Sequence, residues 1–92
     1  MKINKDFLLK EVAGTYIVIA VGEKSADFSG VVTLNPVGAF LWRKLEEGAD
    51  SADLLRAVLE KYDVDEATAR TDIAAFLNKA RTHGFLEEDA AQ

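Results

Sequence analysis

The sequence predicts an α+β domain in which a three-stranded antiparallel sheet precedes three helices. Three observations carry that expectation. β-Branched and aromatic residues fill positions 7–34, punctuated by glycines at 14, 22 and 30. Apolar residues then recur at helical spacing from 36 to 83, interrupted only by Gly38 and Gly48. At the join, Asn35-Pro36 is a strong helix start: asparagine accepts a first-turn N–H, and proline lacks a donor that would be orphaned there anyway.

In chain order, FLLKEVA (7–13) and TYIVIAV (15–21) are strands meeting at Gly14, whose tolerance of positive φ suits a tight hairpin. The second is apolar at nearly every position, so it is expected to be central and covered on at least one face. GEKSADFSG (22–30) is polar and glycine-bounded, a loop from which Phe28 is expected to tuck under the sheet. VVTL (31–34) is a short third strand that pairs in a meander only with the second, which leaves its other edge free.

Helix one runs from Pro36 to about Glu47, with Val37, Phe40, Leu41 and Leu45 on one face and Gly48 as its stop. Trp42 falls off that stripe, since consecutive helical residues are ~100° apart. Two roles stay open for it: packing within a broadly buried helix, or anchoring a partner protein from the surface. Asp50 or Ser51 caps helix two, whose Leu54, Leu55, Val58, Leu59 and Tyr62 share a face. Asp63-Val64-Asp65 caps helix three, which carries the stripe Ala69, Ile73, Phe76, Leu77 and Ala80 to His83 and stops at Gly84. Phe85-Leu86 is expected to fold back as an apolar clamp before a flexible tail over 87–92. The βββααα order has winged-helix character, and all 92 residues read as one domain without repeat or linker.

Composition narrows the chemistry. The absence of cysteine excludes a disulfide scaffold, a thiolate metal site and a thiol nucleophile, and the single histidine, His83, excludes an imidazole cage. His83 is most simply a cation at the negative end of helix three. Ser25, Ser29 and Ser51 have no adjacent histidine, and no phosphate-cradling glycine pattern is present, so neither catalysis nor a cofactor is expected. A net charge of −5 opposes general affinity for nucleic acid or an anionic membrane. No apolar run approaches the ~20 residues of a membrane span, and the start MKINKD lacks a signal-peptide core. The expected location is the cytosol.

Helix three alone has a positive balance, Arg70, Lys79 and Arg81 against Glu66 and Asp72. Arg70 and Arg81 lie within ~20° of each other on its wheel, beside Ile73 and Leu77, whereas Asp72, Lys79 and His83 fall on the opposite flank. Solvation of both flanks is the plain explanation. A sharper one is a groove with an apolar floor and a basic rim, into which an extended peptide adds as a strand along 31–34 while alternate side chains meet Ile73, Leu77 and Ala80.

VVTLNPVGAFLWRKLEEG (31–48) and YDVDEATARTDIAAFLNKARTHGFLEE (62–88) resemble the PqqD family, whose fold is also called the RiPP precursor recognition element. The resemblance spans nearly the whole chain, and its most specific pieces are LNPVGAFLW and DIAAFLNKARTHGFL. It implies a three-stranded sheet on three helices, acting without catalysis as a peptide chaperone. Such a chaperone captures the leader segment of a ribosomally made precursor and delivers it to a maturation enzyme, commonly a radical SAM protein. The leader docks between the third strand and the third helix. Matching positions are Val31, Val32, Thr33 and Leu34 at the edge, with Arg70, Ile73, Leu77, Ala80 and Arg81 on helix three. The start MKINKDFLLKEVAG departs from dedicated pyrroloquinoline quinone proteins, which makes the chain PqqD-like. Two other classes remain: a winged-helix DNA binder, which the acidic balance disfavours, and a homodimer in which a second copy closes the free edge.

Overall fold

A computed structural model describes residues 1–22 and 32–87. The expected positions of Phe28 and Val31, and the tail beyond Glu87, lie outside the described residues. Among these, the order is β1 (Lys2–Ile3), β2 (Phe7–Val12), β3 (Thr15–Ala20), β4 (Val32–Leu34), α1 (Pro36–Glu47), α2 (Ser51–Lys61), α3 (Glu66–Thr82) and β5 (Leu86–Glu87). The main sheet is antiparallel in the order β2-β3-β4, as the sequence predicts.

Val12 and Thr15 close the β2–β3 hairpin around Ala13 and Gly14, whose φ angles are 52° and 80°. Positive φ at both central positions is what a two-residue turn needs to match strand twist, and Gly14 supplies one of them without strain. In β3 the pleat points Tyr16, Val18 and Ala20 to one face. Val18 is fully buried there, beside Leu9 and Val32 across the ladders. Phe7 and Leu34 bury on the same face, so the sheet lies on the helices through alternate residues.

Each helix start has a local cause. Asn35 Oδ1 accepts the Gly38 N–H at 2.7 Å, and Asp50 with Asp53 forms a reciprocal capping box. Asp65 occupies the N-cap of α3, but its side chain makes no cap hydrogen bond, unlike the expectation for that segment. The buried face of α1 comprises Gly38, Ala39, Leu41, Trp42 and Leu45. Trp42 is therefore core: its side chain is fully covered, its indole N–H donates to Glu46 Oε2 at 3.2 Å, and its ring meets Phe85 edge-on at 5.4 Å. Phe40 lies off that face, half-buried against Tyr62 with the Lys44 and Lys61 ammonium groups 5.4 and 5.5 Å from its ring.

The expected clamp at Phe85 is a hub with more partners than the sequence suggests. Its ring meets Phe7 at 4.8 Å as well as Trp42, and His83 stacks on it at 5.2 Å. The chain start then pairs beside it, Lys2 opposite Glu87 and Ile3 opposite Leu86, in a second, two-stranded sheet. Asn4 ties this junction together. Its N–H donates to the Phe85 carbonyl at 2.7 Å, its Nδ2 donates to the Gly84 carbonyl at 3.2 Å, and its Oδ1 accepts the Asp6 N–H at 3.0 Å.

A typical hydrogen bond nets about 0.5–1.5 kcal/mol. Asn4→Ala removes two side-chain bonds and is expected to lower unfolding free energy by about 1–2 kcal/mol in urea titration, with an unchanged m-value.

Candidate functional site

β4 is an outer strand of the sheet, so one side of its backbone has no strand beside it among the described residues. Thr33 is the middle residue of its three-residue ladder, opposite Ile17. The Thr33 carbonyl accepts the Lys79 ammonium at 3.0 Å, so it points away from β3 toward α3. In a strand the N–H and C=O of one residue point the same way, which puts both main-chain groups of Thr33 on the open edge.

Beside this edge runs an open cleft of about 250 Å³. One wall is Leu34, Asn35, Val37, Gly38 and Leu41, and the other is Asp72, Ala75, Phe76 and Lys79 of α3. Gly38 lies between the walls. A Cβ there would stand 3.2 Å from Asn35 Oδ1 and 3.5 Å from both Leu34 Cβ and Phe76 Cδ1. The tight contact is the one with the helix cap, since 3.5 Å is ordinary van der Waals spacing. No polar or charged residue is buried among the described ones, and no group of three or more His, Asp or Glu side chains there could hold a metal ion. What the cleft offers is main-chain hydrogen bonding, apolar surface and two exposed charges, Asp72 and Lys79.

The residues expected at the groove divide between two sides of α3. Val32, Thr33 and Leu34 form the edge strand, with Val31 outside the described residues. Ile73, Leu77 and Ala80 are 4%, 5% and 1% exposed, and all three belong to the hydrophobic core. Arg70, Ile73, Leu77 and Arg81 line a different hollow of about 270 Å³, facing Ser51 and Leu55 of α2. Arg70 also donates to Glu66 at 2.8 Å, and Arg81 reaches Met1 Sδ at 3.6 Å. The structure puts Arg70 and Arg81 ~160–180° around the helix from Lys79, on the side packed toward α2 and not beside β4 as the wheel alone led one to expect. Asp72, Ala75, Phe76 and Lys79 are the α3 residues that line the cleft beside Leu34. Their flank is visible on the wheel, but a wheel does not say which flank meets the sheet.

Three comparisons place the chain among known proteins. The PqqD family, described as Coenzyme PQQ synthesis protein D, matches residues 12–86. No protein of curated function matches the sequence. Two solved structures share its fold. TbiB1 in complex with the TbiA(beta) leader peptide is 24% identical, with a TM-score of 0.77 over 98% of this chain and 99% of that one. Lasso peptide synthetase B1 complexed with the leader peptide is 18% identical, with a TM-score of 0.73 over 95% and 96%.

The burial of α3 separates stability from surface chemistry. Leu77→Ala is expected to cost about 2–4 kcal/mol by opening a core cavity. Lys79→Met is expected to change stability by no more than about 0.5 kcal/mol. Paired denaturant titrations read both.

Proposed function

The chain belongs to the PqqD family, and on that premise we propose that it binds the leader segment of a ribosomally made precursor peptide, adding it as a strand to β4. The observation that carries this reading is the outward-facing main chain of Thr33 beside an apolar cleft. The two solved structures that share the fold support it, since each holds a leader peptide.

The physical scheme is strand addition. An extended leader donates an N–H to the Thr33 carbonyl and accepts the Thr33 N–H, while alternate side chains turn toward Leu34, Val37 and Phe76. Main-chain pairing demands little of the leader's sequence, and the cleft supplies the selection. The leader carries no fold of its own and loses conformational entropy on docking, so affinity comes from the cleft and ladder together. The remainder of the precursor stays outside the cleft, free to enter a separate modifying enzyme of the radical SAM class or another. In this scheme the chain itself performs no chemistry and works in the cytosol, where the precursor is translated. Val31 to Leu34 are the proposed ladder, and Asp72, Ala75, Phe76 and Lys79 replace the arginine flank as its wall. The bases of α3 stand on opposite flanks, which disfavours the DNA-binding alternative because they build no single phosphate-facing surface.

Thr33→Pro removes the outward N–H at an edge position where proline is tolerated. Calorimetric titration with a leader peptide that the parent protein binds is expected to show at least a tenfold loss, about 1.4 kcal/mol. Thr33→Ala is expected to stay within about twofold, because a side-chain change leaves the ladder intact. Equal affinity for the proline variant, with its circular dichroism unchanged, overturns the strand-addition scheme.

A further inference from the structure

The edge of β4 is already occupied. Lys79 Nζ donates to the Thr33 carbonyl at 3.0 Å, across 46 positions of sequence. An exposed strand edge invites pairing with any passing chain, and a lysine laid on it is one of the ways proteins blunt that hazard. The bond has a consequence for what can bind. An incoming strand brings its own N–H to the same oxygen, and the ammonium then yields its place. A carboxylate on the incoming strand gives that ammonium a stronger acceptor than the carbonyl it leaves, because both partners are charged. A neutral strand gives it only water.

Asp72 stands on the same flank seven residues earlier, with Ala75 and Phe76 between the two charges. It has no hydrogen-bond or ion-pair partner among the described residues. Seven helical residues rise ~10.5 Å. An extended strand covers that in about three residues, and its side chains alternate faces, so same-face positions two or four apart fit. The protein's net charge of −5 works against a uniformly acidic peptide, so an acid is favoured only where Lys79 receives it.

We propose that Lys79 and Asp72 set the charge order of the bound peptide: an acidic side chain beside Thr33, and a basic side chain two or four residues along the strand, beside Asp72. This rests on the strand-addition reading and specifies its substrate class. Lys79 is both the guard of the empty edge and the residue that selects the acid. Leaders with the reverse order place like charges together at both ends and are rejected.

The test is selection from a display library of random octapeptides on the full chain and on Lys79→Glu, Lys79→Arg and Asp72→Lys variants. Melting curves and amide shifts of the selected peptides accompany it. For the parent, the selected peptides are expected to carry Asp or Glu at one position and Lys or Arg two or four residues away, with about fivefold weaker binding once the acid is changed to its amide. Lys79→Arg keeps the acid. Lys79→Glu exchanges it for a base while leaving the second position alone, and Asp72→Lys does the converse. Selected peptides that shift the amides of Val32 to Leu34 but show no charge order overturn this inference and leave strand addition standing. Acid preference that follows Arg70 or Arg81 instead also overturns it. Peptides that bind without moving those amides, or no peptides at all, count against strand addition itself and remove this inference with it.

Discussion

The structure turns on a backbone edge that is left unpaired by the sheet and kept available by a helix. β4 is only three residues long, and Thr33 aims its carbonyl toward α3, where Lys79 holds it. The magnitudes show why the edge alone is insufficient. A ladder hydrogen bond nets about 0.5–1.5 kcal/mol, whereas micromolar binding needs about 8 kcal/mol. In the proposed strand addition so short a ladder supplies a fraction of that, and apolar contact with Leu34, Val37 and Phe76 has to add to it. The cleft is therefore a requirement of that proposal, and its width depends on where α3 is held relative to the sheet.

That placement is fixed from both ends. At its middle, α3 buries Ile73, Phe76 and Leu77 in the common core, and Gly38 of α1 lies beside Phe76. At its C-terminal end, Phe85 packs on Trp42 and Phe7 while Asn4 binds the Gly84 and Phe85 carbonyls. The chain start thus braces the helix that forms one wall of the site, although no residue of the start lines it. Trp42 belongs to this bracing. Its burial explains why the aromatic with the greatest potential as a surface anchor serves instead to set the angle between α1 and the final turn.

Much of this was legible in the sequence, and the parts that were not share a physical cause. Asn35-Pro36, a cap at Asp50 or Ser51 and a turn at Gly14 are local signals; the structure has the first as expected, the cap at Asp50, and a turn that takes in Ala13 as well. The free edge of the third strand followed from meander order alone. β1 and β5 were not legible because two-residue strands carry no alternation to detect; their pairing is set by Asn4, whose partners lie 80 and 81 positions away. The flank of α3 that meets β4 was not legible either. Periodicity locates the stripe Ala69, Ile73, Phe76, Leu77 and Ala80, but both sides of it carry bases. The packing of α2 against Arg70, Leu77 and Arg81, a tertiary fact, sends Asp72 and Lys79 toward the sheet edge. Family resemblance pointed to the third strand and the third helix, and could not choose between the sides of that helix.

Amide hydrogen exchange at Thr33, followed with and without a bound leader peptide, tests the central claim most directly. Facing outward with no strand beside it, this N–H is expected to exchange far faster than those of β3 in the free protein. It is expected to slow by at least tenfold once a leader occupies the cleft, along with shifts at Phe76 and Lys79. An unchanged Thr33 rate, with protection appearing instead along Leu55, Ala74 and Asn78 in the hollow between α2 and α3, contradicts the account.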